Sequence, residues 1–179
     1  MTTCRKILYL GSFPNKKNLG GAVVIVKQTA DYLIDNNYVL DTINLQDYSS
    51  VFKLLNLIFL YIKKVKNNDL TLLNVSKNTF SYLSPFLFII SRLHNKPFHL
   101  RLIGGRYSLL FKKSNFMLKF FLKKTSLKSD VIYAEVKENV SFFKKFNKKI
   151  VWIPNCRYPY ELEIKHKKFN NRFVFISQI

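Results

Sequence analysis

The sequence predicts an α/β fold: a Rossmann-like parallel sheet of about six or seven strands with helices on both faces. Three observations lead there. Short apolar runs alternate along the chain with longer stretches whose apolar residues recur at helical spacing. The connections lack hairpin turn signals, so successive strands run parallel and are joined by helices. The first run, Ile7-Leu8-Tyr9-Leu10, is apolar at every position, as strands covered on both faces are. With 179 residues, 48% of them hydrophobic and including 17 Phe and 10 Tyr, the chain can fill the core of one domain, which excludes disorder.

The elements follow in order. Residues 7–10, Ile-Leu-Tyr-Leu, form a buried strand that stops at Gly11. From 21 to 37 the apolar residues Ala22, Val26, Ala30, Leu33 and Ile34 mark one helical face. A second strand spans 39–45, a nearly all-round apolar helix with a basic end spans 51–66, and a third strand spans 70–75. Residues 79–93 read as an apolar helix in which Pro85 imposes a kink or a boundary. A fourth strand over 98–103 closes at Gly104-Gly105, and a basic amphipathic helix follows over 114–128. The fifth strand is 131–134, a helix runs over 136–146, and the sixth strand is 150–153.

Pro154-Asn155 ends this alternation, so residues 1–154 form the Rossmann-like domain. Residues 155–171 are polar, charged and rich in turn formers, which is the composition of a linker. The apolar run Phe173-Val174-Phe175-Ile176 makes 172–179 read as the first strand of a further domain, or else as an edge strand of the same sheet.

Thirty Lys and Arg against ten Asp and Glu give a net charge of +20, which favours anionic partners. Lys, Asn, Phe and Ile are abundant together, the residue set of an AT-rich genome, so charge alone names no partner. Cys4 and Cys156 lie far apart with no metal-ligand spacing, which fits reduced thiols and a cytoplasmic location. The longest apolar stretch, 51–62, is broken by Lys53 and Asn56 and is shorter than the roughly 20 residues a bilayer span needs.

Ligands of open parallel sheets bind beyond the carboxyl ends of the strands. Two glycine features fall there. Gly11-Ser12-Phe13 leaves the first strand, and Gly20-Gly21 opens the first helix, where free N–H groups and the helix dipole favour a diphosphate. No GxGxxG or GxxxxGK[ST] pattern is present, which disfavours a dinucleotide oxidoreductase and a P-loop enzyme. Arg101-Leu102-Ile103-Gly104-Gly105-Arg106 ends the fourth strand, with two arginines set to hold an anionic or hydroxylated ligand or to stand solvated at a tight turn.

Taken together, KILYLGSFP at 6–14, Gly20-Gly21, RLIGG at 101–105, SDVIYAEV at 129–136, WIPN at 152–155 and FVFISQI at 173–179 carry a resemblance. The chain resembles the amino-terminal half of a GT-B glycosyltransferase of the family 4 type, as found in bacterial capsule and lipopolysaccharide synthesis. The resemblance implies two Rossmann-like domains across a cleft. The amino-terminal one binds a lipid-linked or saccharide acceptor through Ser12, Phe13, Arg101, Gly104, Gly105 and Arg106, and its Gly20 and Gly21 touch the donor diphosphate. The nucleotide sugar is then a substrate, and neither a cofactor nor a metal is expected. The resemblance also implies a second domain with an E-x7-E pair, completing the enzyme from elsewhere. Glu161 and Glu163 do not have that spacing. Ile103 stands where many family members place a histidine, and His94, His99 and His166 fall at a helix end, inside a strand and in the linker.

The basic helix bears on location. Met117, Leu118, Phe121 and Leu122 form its apolar face, with Lys112, Lys119 and Lys123 roughly opposite and Phe116 and Phe120 between lysines. Aromatics among lysines suit an anionic membrane surface, while a core-packed helix with a solvated basic face has the same pattern. Nucleic acid fits poorly, since no helix-turn-helix, RRM or zinc signature occurs. A non-catalytic basic α/β module binding anionic lipid or nucleic acid is the alternative to half of a transferase.

Overall fold

Alternating burial sets the sheet. In the computed structural model, which describes residues 5–15, 20–48 and 51–154, successive strand residues enter two apolar clusters on opposite faces. Leu8, Leu10, Leu73, Leu100, Leu102 and Ile132 go to one face, and Ile7, Tyr9 and Leu72 to the other. The strands are β1 (Lys6–Gly11), β2 (Val39–Asn44), β3 (Leu70–Val75), β4 (Phe98–Leu102), β5 (Val131–Ala134) and β6 (Ile150–Trp152). All neighbours pair parallel, in the order β2-β1-β3-β4-β5-β6. Each of the six strands expected between residues 7 and 153 is therefore present, within one residue of its expected ends.

One helix covers the smaller cluster. α1 (Gly21–Asp35) lays Val26 and Ala30 on Ile7 and Tyr9. The other five cover the larger cluster: α2 (Val51–Val65), α3 (Ser84–Leu93), α4 (Tyr107–Lys113), α5 (Phe116–Lys124) and α6 (Lys137–Phe143). Leu57 and Tyr61 of α2, Leu87 of α3, Phe111 of α4, Leu122 of α5 and Phe143 of α6 are their deepest side chains. Each contributes about 1.5–3 kcal/mol of apolar burial.

Three helices differ from expectation. Residues 79–93 are divided at Pro85: a π-helical turn covers Thr79–Leu83, and α3 starts anew with Pro85 in its first turn. A missing N–H is harmless there, because first-turn donors have no intrahelical partner. The basic helix over 114–128 is also divided. α5 ends at Lys124 and a 3-10 turn occupies Ser126–Lys128, while α4, which the sequence did not announce, precedes it. Asn115 makes the separation, since its Oδ1 accepts the Leu118 N–H at 2.8 Å and caps α5. The helix over 136–146 contracts to Lys137–Phe143. The linker and seventh strand, together with Cys4, Cys156, Glu161, Glu163 and His166, lie outside the described residues.

Candidate functional site

The carboxyl ends of β1, β4 and β5 and the start of α1 meet at one edge of the sheet. The direction of connection changes between β1 and β3, the position at which such sheets bind ligands. β1 ends at Gly11 because nothing larger fits: a Cβ there would stand 2.7 Å from Val26 Cγ1 and 3.3 Å from Asn74 Cβ. Ser12 and Phe13 follow, both half-buried. The loop is tied to the end of β2 by the Phe13 N–H donating to Asn44 Oδ1 at 3.3 Å and by Gln46 Nε2 donating to the Phe13 carbonyl at 2.9 Å.

Gly20 is the N-cap of α1, without a side-chain cap, and Gly21 and Ala22 are exposed in a first turn that holds no acid. The N-terminus of a 15-residue helix carries the positive end of its dipole here.

The loop after β4 is built by Glu135, which the sequence reading did not single out. One of its oxygens accepts from Arg101 Nη2 at 3.1 Å, and the other accepts the Gly104 N–H at 2.8 Å. Arg101 also donates to Thr29 Oγ1 of α1. This corrects the expectation of two open arginines. The guanidinium of Arg101 is buried and ion-paired, so it supports the loop from inside, whereas Arg106 is exposed at the N-cap of α4. Gly104 and Gly105 have φ of 56° and 65°, the left-handed region that favours glycine. The Gly104 N–H is taken by Glu135 and is not offered to a ligand. Asn139 and Glu138 of α6 finish the loop: Asn139 Nδ2 donates to the Gly105 carbonyl at 3.0 Å, its Oδ1 accepts the Ser108 N–H at 3.1 Å, and Glu138 accepts from Ser108 Oγ at 2.8 Å.

Two tyrosines near this edge are anchors. Burial pushes the Tyr9 hydroxyl up to about 12, and it donates to the Val26 carbonyl at 2.8 Å. Burial first, and then the Glu135 charge, raise Tyr107, which donates to the Val75 carbonyl at 2.6 Å. Both stay protonated at neutral pH. Ile103 is half-buried against the α1-side cluster. His94 is the C-cap of α3, and His99 lies inside β4, its Nδ1 3.3 Å from the Tyr133 hydroxyl. Among the described residues, no cluster of three or more His, Cys, Asp or Glu side chains could hold a metal ion. At this edge stand the N-terminus of α1 and the exposed Arg106.

The lysines and phenylalanines of the expected basic helix separate in space. Lys112 stands over the Phe142 ring at 5.2 Å and Lys123 over the Phe146 ring at 5.4 Å, which places both beside α6. Lys119 is half-buried. Phe116 and Phe120 are exposed, and so is Met117, which had been assigned to the apolar face. Leu118 and Leu122 do pack on the core.

No family model matches the chain, and no curated protein matches it. Among solved structures it is similar to Anabaena HepE, crystallised in complex with UDP and glucose, with a TM-score of 0.49 and 14% identity. The alignment covers 84% of this chain and 44% of HepE, so the chain spans less than half the length of that protein.

Proposed function

We propose that this domain is the acceptor-side half of a GT-B glycosyltransferase of the family 4 type. In this reading the full enzyme transfers a sugar from a nucleotide sugar to a lipid-linked or saccharide acceptor in cell-surface polysaccharide or lipopolysaccharide synthesis. The observation that carries the reading is the gathering of Gly20-Gly21 and Gly104-Gly105-Arg106 at one edge of an all-parallel sheet. Glycosyl transfer concentrates negative charge on the departing diphosphate, and helix N–H groups with a nearby cation meet that charge. The described residues form one wall of such a site. A nucleotide base and ribose need a facing wall, which a second domain provides, either in the same polypeptide or encoded separately.

Titration with UDP or GDP, followed by amide NMR, tests the assignment. The expected dissociation constant is on the order of 1 mM or weaker, with shifts at Gly20, Gly21, Gly105 and Arg106. Arg106→Gln should weaken binding by up to about fivefold, the share of an exposed charge. No sugar transfer by this chain alone is expected from any donor. Submicromolar binding would put the donor site within this chain and overturn its assignment as the acceptor side. Shifts confined to another edge of the sheet would remove the site.

A further inference from the structure

Three helices carry apolar stripes that face away from the sheet. On α2, Phe52, Leu55 and Phe59 recur at three- and four-residue spacing, with Phe52 83% exposed, while Leu57, Tyr61 and Val65 fill the core. On α3, Phe86, Ile89 and Leu93 do the same, and Leu93 is 76% exposed. On α5, Phe116 is 82% exposed, with Met117 and Phe120 also open. The stripes adjoin: α2 packs beside α3, and the Phe86 ring meets Phe121 of α5 at 5.8 Å. Five exposed phenylalanines, each of about 150–250 Å² when buried, already exceed the few hundred Å² of apolar patch that a monomer ordinarily shows.

The charge around these stripes is predominantly positive. Residues 51–129 hold fifteen Lys and Arg and a single acid, Asp69; two of the bases on these helices are ion-paired, Lys64 of α2 with Asp41 and Arg92 of α3 with Asp130 at 3.0 Å. Asp69 accepts the Lys6 N–H at 2.8 Å at the start of the sheet. α2, α3 and α5 contain no carboxylate, and Lys53, Lys63, Arg92, Lys123 and Lys124 stand exposed on them. Lys124 lies over the Phe120 ring at 5.7 Å, cation and ring on one side of the helix.

We infer that the outer face of α2, α3 and α5 is a docking surface for an anionic lipid bilayer. The phenylalanine and leucine stripes enter the interfacial region, and the lysines around them meet lipid phosphates. Charge complementarity selects this occupant. A second copy of the chain would bring an equally cationic face against this one. Nucleic acid would meet the lysines and leave the leucine and phenylalanine stripes in water. The docking is to the bilayer surface; among the described residues no helix is long and apolar enough to cross it. This inference stands apart from the sugar-transfer reading and rests on no residue of that site.

Co-sedimentation of the full chain with vesicles tests it. Binding is expected to mixed phosphatidylglycerol–phosphatidylcholine vesicles, to be lost on phosphatidylcholine alone, and to fall as salt rises and the Debye length shrinks from about 10 Å at 0.1 M to about 3 Å at 1 M. The pairs Phe52→Ser with Phe59→Ser, and Phe116→Ser with Phe120→Ser, should each weaken partitioning at least tenfold while most of the salt dependence remains. Neutralising Lys53, Lys63 and Lys124 to Gln should weaken it about a hundredfold. Because serine pairs can disturb folding, Phe59→Trp and Phe116→Trp, each in a Trp152→Phe background, provide a second measurement. Their fluorescence should shift to the blue and be quenched by brominated lipid in acidic vesicles. Equal binding to neutral and acidic vesicles, binding untouched by both serine pairs, unquenched tryptophans, or a dimer that the serine pairs dissolve would each overturn the inference.

Discussion

Glu135 holds the ends of two strands together with its two oxygens, one on Arg101 and one on the Gly104 N–H. Removing one partner of a buried pair leaves the other charge stranded, at a cost of about 3–5 kcal/mol. Urea unfolding of Glu135→Ala should show a loss of that order, and the joint replacement Arg101→Met with Glu135→Leu a clearly smaller one. His99 gives a second residue-level expectation. Burial holds its pKa below the ordinary 6.5, with the Asp130 charge opposing. The unfolded chain therefore takes up this proton first as pH falls, so the contribution is intact above about 6.5 and is lost below it. Between pH 7 and 5, His99→Leu should flatten the pH dependence of unfolding free energy; an unchanged slope would show that other groups set it. Neither role was legible in the sequence. Arg101 and Glu135 stand 34 positions apart, and only the β4–β5 register, which sets Arg101 against Tyr133, brings them together. Arginine beside a glycine pair reads as an open ligand group for want of that information.

At the scale of elements, much more was readable. Apolar runs gave all six described strands, and Pro85 marked a true boundary. α4 was missed because seven residues show less than two full helical turns, and its start is fixed from α6 by Asn139. The division between α4 and α5 depends on one cap. Asn115→Ala should lower stability by about 1 kcal/mol and raise hydrogen exchange in the first turn of α5, with little effect on α4. The glycines separate two kinds of constraint. Gly11→Ala must displace Val26 on α1, and overpacking of that kind costs about 1–3 kcal/mol. Gly104→Ala meets no atom within 4 Å, so only its backbone conformation is strained, by about 1–2 kcal/mol. Thermal unfolding of both variants should rank Gly11→Ala as at least equally damaging, with a local effect on α1 seen only there.

Among the described residues, five helices lie on one face of the sheet and α1 on the other. Composition announced an excess of positive charge but not where it would lie. Residues 1–50 hold five basic and four acidic residues, whereas the carboxylate-free helices fall in the stretch where fifteen basic residues face one acid. In the docking inferred above, the field of an acidic surface draws these helices forward, and most encounters arrive with the same side first. Approach and retention are then governed by different groups. In stopped-flow mixing with acidic vesicles, salt should slow the association rate steeply and leave the dissociation rate nearly constant. Serine at Phe52 and Phe59 should do the reverse, quickening departure from a surface that the protein still reaches at the original speed.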